Sequence, residues 1–595
     1  MKGNKSLGNN LYAFKLGLSI SPKRVAFSGI KTFLRYFEWL FFKIFFIRYI
    51  INAIMAEKTF KELATVIAIF CGMFLITTII NTYYTQVLEP LTATDIYQKL
   101  YKRLFAKAKN VELKCFEDAE FYNSYTMAID NSADRVMSGI DSVFDIVFGV
   151  IAGFISLYAL FTIDKMSVLF IIFPMIGNFF FGKRLNKMYG KRYEANVLND
   201  RKTQYINRVM YLSDYAKEMR LSNIYNIVKG QYKEATDDTV DVMHKYSKDG
   251  IVNNWLQNVL TFPAVFEGIM LYSVYRAMIS KTIGIGELAV MFTIMDTASW
   301  IIFSMYRNIV KAMENGVYLN NLINFMEYKE TIPEDQTGII PDTNIESIEF
   351  RNVTFYYKED APLIQNLSFT IKGGETIAFC GHNGAGKTTI LKLLFRLYDP
   401  VEGMILVNGI NIKEYELKSY RRLFATAFQD YKVFGTSIFS NVTMGREDIS
   451  REEVQEALRK TGILDEVNQC TEKEDSVLTK EFNQDGVVFS GGQTQKLVLA
   501  RVFAQPAAIK IFDEPSSALD PVAEYELYQN ILKEKQEHTM IFISHRLSSV
   551  KDADRIMMFE HGKLIEEGTH AELMQSNGKY AEMYMFQAKN YLIVE

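Results

Sequence analysis

The stretch Gly381-His382-Asn383-Gly384-Ala385-Gly386-Lys387-Thr388 decides the reading of this 595-residue chain. It follows an apolar run, Thr376–Cys380, with the composition of a buried strand, and leads into a helically spaced segment, 389–397, that begins with Thr389. Glycines at its first, fourth and sixth positions let the backbone curl so that successive N–H groups point at a phosphate. Lys387 then reaches the β- and γ-phosphates of a nucleotide, and Thr388 offers a hydroxyl to Mg²⁺. The pattern stands in the strand–loop–helix setting its chemistry needs, so ATP with Mg²⁺ is the expected ligand.

Further along, the strand-like run 509–512 delivers Asp513 and Glu514. With the phosphate loop upstream, Asp513 is the expected holder of Mg²⁺ and Glu514 the expected general base for an attacking water. Lys510 is out of character, because a buried core strand is normally apolar. Around these motifs short β runs alternate with helical patterns, as in an α/β domain with a largely parallel sheet. That domain is read as 345–595, preceded by a linker over 328–344 that carries Pro333, Gly338 and Pro341.

Upstream the character changes. Apolar residues make up 49% of the chain and aromatics 14%, and the long apolar runs gather in the first half. A hydrocarbon core of about 30 Å needs roughly 20 largely apolar residues per helix. Six windows qualify: 33–55, 64–85, 143–163, 166–181, 259–279 and 288–309, the first interrupted by Glu38, Lys43 and Arg48. They make 33–327 a six-helix transmembrane domain behind a cytoplasmic N-terminal segment, 1–32. Lys15, Lys23, Arg24, Lys31 and Arg35 before or at the first span favour a cytoplasmic start. The first apolar run is too long for a cleavable leader, so none is expected. The long segments 86–139 and 182–257 are basic and helical in pattern, so the helices should run on past the bilayer. Where they turn back, 116–124 and 215–226 mix acidic, aromatic and aliphatic residues, which suits transverse helices pressing on the C-terminal domain. Glu38, Glu267 and Asp296 fall inside spans, where a carboxylate faces water, a partner or a cationic group. Pro263 is expected to kink its helix.

Other classes drop out. A formal net charge of −3 gives no reason to expect nucleic acid as a partner. Cys71, Cys115, Cys380 and Cys470 lie far apart without metal-ligand spacing, and read as reduced thiols buried as small apolar residues.

Phe489-Ser490-Gly491-Gly492-Gln493 resembles the LSGGQ signature of ATP-binding-cassette transporters, with Phe489 in place of Leu. Such a stretch is a helix N-terminus whose Ser hydroxyl and free N–H groups suit an anion. The resemblance implies that Ser490, Gly491, Gly492 and Gln493 contact the γ-phosphate of ATP held by an opposite subunit. It also implies that Tyr357 stacks on adenine and that Gln429 senses Mg²⁺ and the attacking water. By the same resemblance Ser517-Ala518-Leu519-Asp520 crosses between subunits, and His545 is the switch histidine on the γ-phosphate. One departure stands out: Asn483-Gln484-Asp485-Gly486 occupies the place of a usual Gly-Glu-x-Gly-like run. The resemblance covers the chain from about residue 33 to its end, including the Lys217–Leu221 KEMRL run, and is tighter in the second half.

One chain holds one phosphate loop and one signature, so the resemblance implies a dimer, a homodimer in the preferred reading and a heterodimer in the other. The expectation is a half-transporter of the plasma membrane, bacterial in type. It is expected to use ATP hydrolysis for alternating access and to export a hydrophobic or amphipathic cargo such as a peptide, lipid or drug-like molecule. Two alternatives stay open: an importer of a siderophore-like solute with the same fold, and a nucleotide-gated regulatory or channel-type protein.

Overall fold

The computed structural model describes residues 6–129, 131–261, 263–358, 361–515, 519–534, 538–544 and 550–592. The chain divides into two compact units, and the division does not follow chain order. One contains Met1–Lys109 and Asp118–Lys329, the other Asn110–Glu117 and Glu330–Glu595.

The first unit is helical. In chain order it contains α1 (Ser6–Ile20), α2 (Pro22–Leu40), α3 (Ile47–Met55), α4 (Phe60–Tyr83) and α5 (Glu89–Asn110). The short α6 (Leu113–Glu117) comes next, and all of it groups with the other unit. Then follow α7 (Ala119–Ile129), α8 (Ser132–Ile163), α9 (Leu169–Tyr211), α10 (Ala216–Leu221), α11 (Ile224–Thr261), α12 (Gly268–Met278) and α13 (Ile285–Glu327). Among the described residues four stretches are long and apolar enough to cross a membrane: Phe60–Asn110, Ser132–Thr162, Met166–Tyr193 and Gly286–Glu327. They contain or overlap four of the six expected spans. The other two, 33–55 and 259–279, are helical but broken. A π-helical turn at Phe41–Phe46 joins α2 to α3, and another spans Pro263–Glu267, beginning at the proline expected to kink its helix.

The bundle packs around α8 and α13, with Ile294, Met295 and Ile301 of α13 buried against Tyr36, Leu40 and Ala152. α1 is stitched to α13 by side-chain amides: Asn9 Nδ2 donates to the Gly316 carbonyl at 2.8 Å and Asn10 Nδ2 to that of Ala312 at 2.6 Å. It also lies so close to α8 that a Cβ on Gly139 would meet the Ala13 methyl at 2.8 Å. Arg24 of α2 is buried between Glu89 at 3.2 Å and Asp141 at 3.5 Å, as an interior charge must be paired. α4, by contrast, is apolar all round and buries none of its residues, the pattern of a helix that needs lipid or another chain around it. Cys71, on α4, is exposed, against the expectation of burial; Cys115 and Cys380 are buried, and Cys470 is intermediate.

The second unit holds two sheets. The strands are β1 (Ser347–Tyr356), β2 (Pro362–Lys372), β3 (Thr376–Cys380), β4 (Glu402–Val407), β5 (Ile410–Asn411), β6 (Phe424–Ala427), β7 (Ile509–Asp513), β8 (Thr539–Ile543), β9 (Arg555–Glu560) and β10 (Lys563–Gly568). An antiparallel sheet of order β2-β1-β4-β5 lies beside a six-stranded sheet of order β10-β9-β3-β8-β7-β6. In the larger sheet β9, β3, β8, β7 and β6 run parallel. β3, β7 and β8 are buried along their whole length, so near-continuous apolar runs are what a parallel core demands. The register pairs both Phe379 of β3 and Asp513 of β7 with Ile543 of β8, which brings the carboxyl ends of these strands side by side. In open α/β sheets that end is where ligands bind. Lys510, the charged residue in β7, is only 3% exposed. Its ammonium pairs with Glu534, which the partly exposed Lys460 also holds at 2.5 Å, so the misfit in the strand is the buried arm of a charge triad.

Candidate functional site

The loop after β3 and the residues after β7 form the site. Gly381 has φ +142°, and a Cβ there would lie 2.2 Å from the Phe559 carbonyl of β9, so only glycine fits. Gly386, at φ +99°, is the N-cap of the next helix, α14 (Lys387–Leu394), whose first N–H groups therefore open into the loop. Within that curl lies Lys387, 6% exposed, its Nζ donating to the carbonyls of Gly381 at 2.7 Å and His382 at 3.1 Å. Burial pulls its ammonium below the usual lysine range, opposed by Cys380 and by the charges of Glu514 and Asp513. His382, Asn383, Gly384 and Thr388 are exposed on the loop, whereas Ala385 and Thr389 are buried.

Asp513 ends β7 and is buried. Burial and the neighbouring Glu514 push its carboxyl up to about 6, against the pull of Lys387. Glu514 adopts a left-handed backbone (φ +50°), which turns the chain out of the strand; its N–H donates to the Ile543 carbonyl at 2.9 Å. Gln429, just beyond β6, donates from Nε2 to Glu514 Oε2 at 2.7 Å. The loop, Gln429, Asp513 and Glu514 thus gather at one end of the sheet. Hard oxygen ligands beside a buried carboxylate suit a small divalent cation, and a glycine-lined helix start suits phosphate. Tyr357 is half exposed, its hydroxyl 3.4 Å from Thr389 Oγ1 and its ring edge-on to Tyr398.

Ser490 caps the helix Gly491–Ala504. Its Oγ accepts from the Gln493 N–H at 3.4 Å, while the Gln493 side chain accepts from the Ser490 N–H at 3.0 Å. Among the described residues no hydrogen bond joins Ser490, Gly491, Gly492 or Gln493 to the phosphate loop. At this helix start Ser490 and Gly491 are exposed and Gly492 and Gln493 half-buried. One turn along, Gln495 Nε2 donates to the Glu514 carbonyl at 3.3 Å and ties the helix to the end of β7. Asp520 accepts from the N–H groups of Val522 and Ala523, both at 3.0 Å, as the N-cap of the helix Pro521–Lys533, and these bonds hold its carboxyl low. Ser517, Ala518 and His545 lie outside the described residues. In the Asn483-Gln484-Asp485-Gly486 run, a Cβ on Gly486 would fall 1.7 Å from the Thr479 carbonyl; Gln484 is exposed.

Sequence reading missed the role of Asn110–Glu117. Only residues 116 and 117 of the expected contact stretch 116–124 group with the second unit, together with six residues before them. Glu112, 6% exposed, accepts from the Thr331 N–H, from Thr331 Oγ1 at 2.7 Å and from the Ile332 N–H at 3.1 Å. Glu117 pairs with Lys392 of α14 at 2.7 Å and accepts a bond from Tyr398. Nothing in the spacing of these carboxylates marked them, since their partners are more than 200 residues away.

Residues 364–517 match the family model described as ABC transporter. Along its length the chain is similar to the subtilin transport ATP-binding protein SpaT of Bacillus subtilis, 27% identical over 91% of this chain and 88% of that one. It is 33% identical to the mitochondrial iron-sulfur clusters transporter ATM1 of Chaetomium globosum over 58% of both chains. Against the ATP-dependent lipid A-core flippase of Salmonella typhimurium it is 36% identical over 43% of both. The chain thus spans little more than half of the one and less than half of the other. Among solved structures, a bacterial Atm1-family ABC exporter with ATP bound superposes with a TM-score of 0.80 at 22% identity, over 96% of this chain and 99% of that one.

Proposed function

We propose that this chain, an exporter-type ABC transporter with an ATP-hydrolysing C-terminal domain, works in the plasma membrane as a homodimer that exports a hydrophobic or amphipathic cargo. Residues 33–327 form the membrane part and 345–595 the ATPase, which lies in the cytoplasm. The observation that supports this best is the convergence of the phosphate loop, Asp513, Glu514 and Gln429 at the carboxyl ends of β3 and β7, within a fold shared with ABC exporters.

In this reading the loop Gly381–Thr388 and Thr389 hold the nucleotide phosphates, and Tyr357 meets the adenine. Thr388, Gln429 and Asp513 hold Mg²⁺, which neutralises phosphate charge when bound. Glu514 takes the proton of the attacking water, and the Gln429 amide at 2.7 Å orients its carboxylate. Ser490–Gln493 and Asp520 face the nucleotide of a second copy, and His545 is assigned to the γ-phosphate. The exposed start of the Gly491–Ala504 helix supports this division, because it is presented outward rather than to its own loop. So does the 215–226 stretch. α10 within it buries no residue, and Leu221 at its end is 88% exposed, leaving an apolar surface for a second copy. SpaT is named for subtilin transport and the flippase for lipid A-core; an amphipathic cargo is the common chemistry.

The test is Glu514→Gln in proteoliposomes. ATP should bind as in the parent chain while phosphate release falls at least a hundredfold, the scale set by losing a general base. Parent-like release would defeat the assignment.

A further inference from the structure

A cavity of about 520 Å³ lies in the bundle unit between α2 and residues 77–88 of α4 and the π-helical turn that follows it. Lys31, Leu34, Arg35 and Glu38 line it from α2, spaced by three and four residues and therefore on one helical face. Two cations are on the wall, but both are engaged. Lys31 pairs with Glu89 at 3.0 Å and sits 4.7 Å from the centre of the Tyr84 ring; Arg35 pairs with Asp145. Glu38, half-buried, makes no ion pair or hydrogen bond among the described residues. Tyr84 also lines the cavity, with its ring beside Lys31 and Arg24; it is 4% exposed, and its buried hydroxyl has no hydrogen-bond partner. Tyr84 opens the π-helical turn Tyr84–Leu88, a local widening that recurs at functional sites. Leu34, Ile80 and Leu88 supply apolar wall between these two polar groups.

We propose that this cavity binds an amphiphile bearing a protonated amine. The Glu38 carboxylate takes the ammonium charge, and the apolar wall holds the chain. The unbalanced charge on the lining is negative, because Lys31 and Arg35 are spent on Glu89 and Asp145. The volume suits a ligand of drug or single-chain size. The inference rests on the exporter reading and deepens it by naming a cargo class.

The experiment measures equilibrium binding of labelled dodecylamine and, separately, dodecanol to the full-length protein in phosphatidylcholine nanodiscs without nucleotide. Glu38→Gln and Glu38→Ala should each weaken amine binding at least tenfold, with dodecanol binding and basal ATP hydrolysis unchanged. Folded variants that bind the amine like the parent overturn the site. If either variant fails to fold, competition on the parent protein decides. Displacement by a second alkylamine but not by dodecyl sulfate or dodecanol supports the site, and equal displacement by all three overturns it. Adding phosphatidylethanolamine separates the sources: competition identifies a lipid headgroup, and its absence a non-lipid amphiphile; either keeps the site. ATP-driven accumulation of the amine in proteoliposomes is read independently. Glu38-dependent binding without accumulation defeats the exporter reading alone. Accumulation and binding both indifferent to Glu38→Gln defeat the site alone.

Discussion

Replacing Glu112 by Gln isolates the anchor that fixes Asn110–Glu117 to the ATPase unit. The buried carboxylate accepts hydrogen bonds from the N–H and hydroxyl of Thr331, from the N–H of Ile332 and, at 3.8 Å, from the Cys115 thiol. Burial by itself would raise its pKa, but these bonds outweigh it and hold the carboxyl at about 2 against an ordinary 4.5. That difference corresponds to ~3 kcal/mol of preference for the charged form in the folded unit. Gln keeps the shape and loses the charge, so opening of this segment should become easier by a similar amount. A 3 kcal/mol change is a roughly hundredfold faster exchange of amides protected by this segment. Hydrogen–deuterium exchange on the nucleotide-free protein at pH 7 reads it directly. The sign with pH follows: the folded pKa is depressed, so the contribution is complete above about 4.5 and fades as pH falls toward about 2. The parent segment should therefore lose protection on acidification through that window, while the Gln variant changes little. Parent-like exchange in Glu112→Gln at pH 7 would refute the reasoning, whatever the effect on transport.

Gly381→Ala places a methyl 2.2 Å from the Phe559 carbonyl. It should abolish detectable ATP binding and lower the melting temperature of the ATPase unit, measured by calorimetry. Lys510→Met leaves Glu534 with Lys460 alone in a buried setting. Denaturant unfolding should show a loss of about 2–4 kcal/mol, and adding Glu534→Leu should restore much of it, since a buried pair is costly to half-remove and cheap to replace whole.

The ATPase half was legible because its chemistry is local in sequence. Glycines, Lys387 and Thr388 are consecutive, and the strand before them is uniformly apolar, so the loop between β3 and α14 followed from composition alone. Asp513 and Glu514 are likewise consecutive, and the strand that ends at Asp513 was readable from the run before them. Lys510 resisted, because its partners Glu534 and Lys460 are brought to it only by the fold. In the bundle, 64–85 and 143–163 were plain from apolar length. The stretch 33–55 was not, since charges and a π-helical turn interrupt it. The 116–124 boundary slipped for a further reason: what anchors Asn110–Glu117 is hydrogen bonding by Glu112 and Glu117, and a carboxylate in sequence looks the same solvated or buried. Cys71 misled in the opposite way, an apolar side chain on a helix whose apolar surface faces outward.

The most direct test of shared nucleotide sites mixes two inactive chains. A Lys387→Ala chain keeps its signature helix and loses its loop; a Ser490→Arg chain keeps its loop and loses its signature. Each alone should hydrolyse almost no ATP, and co-reconstitution in one membrane should restore hydrolysis, because each mixed dimer holds one intact loop facing one intact signature. Recovery that rises with the mixed fraction is the predicted result. No recovery, with both chains folded and mixed dimers demonstrated by crosslinking, would contradict it.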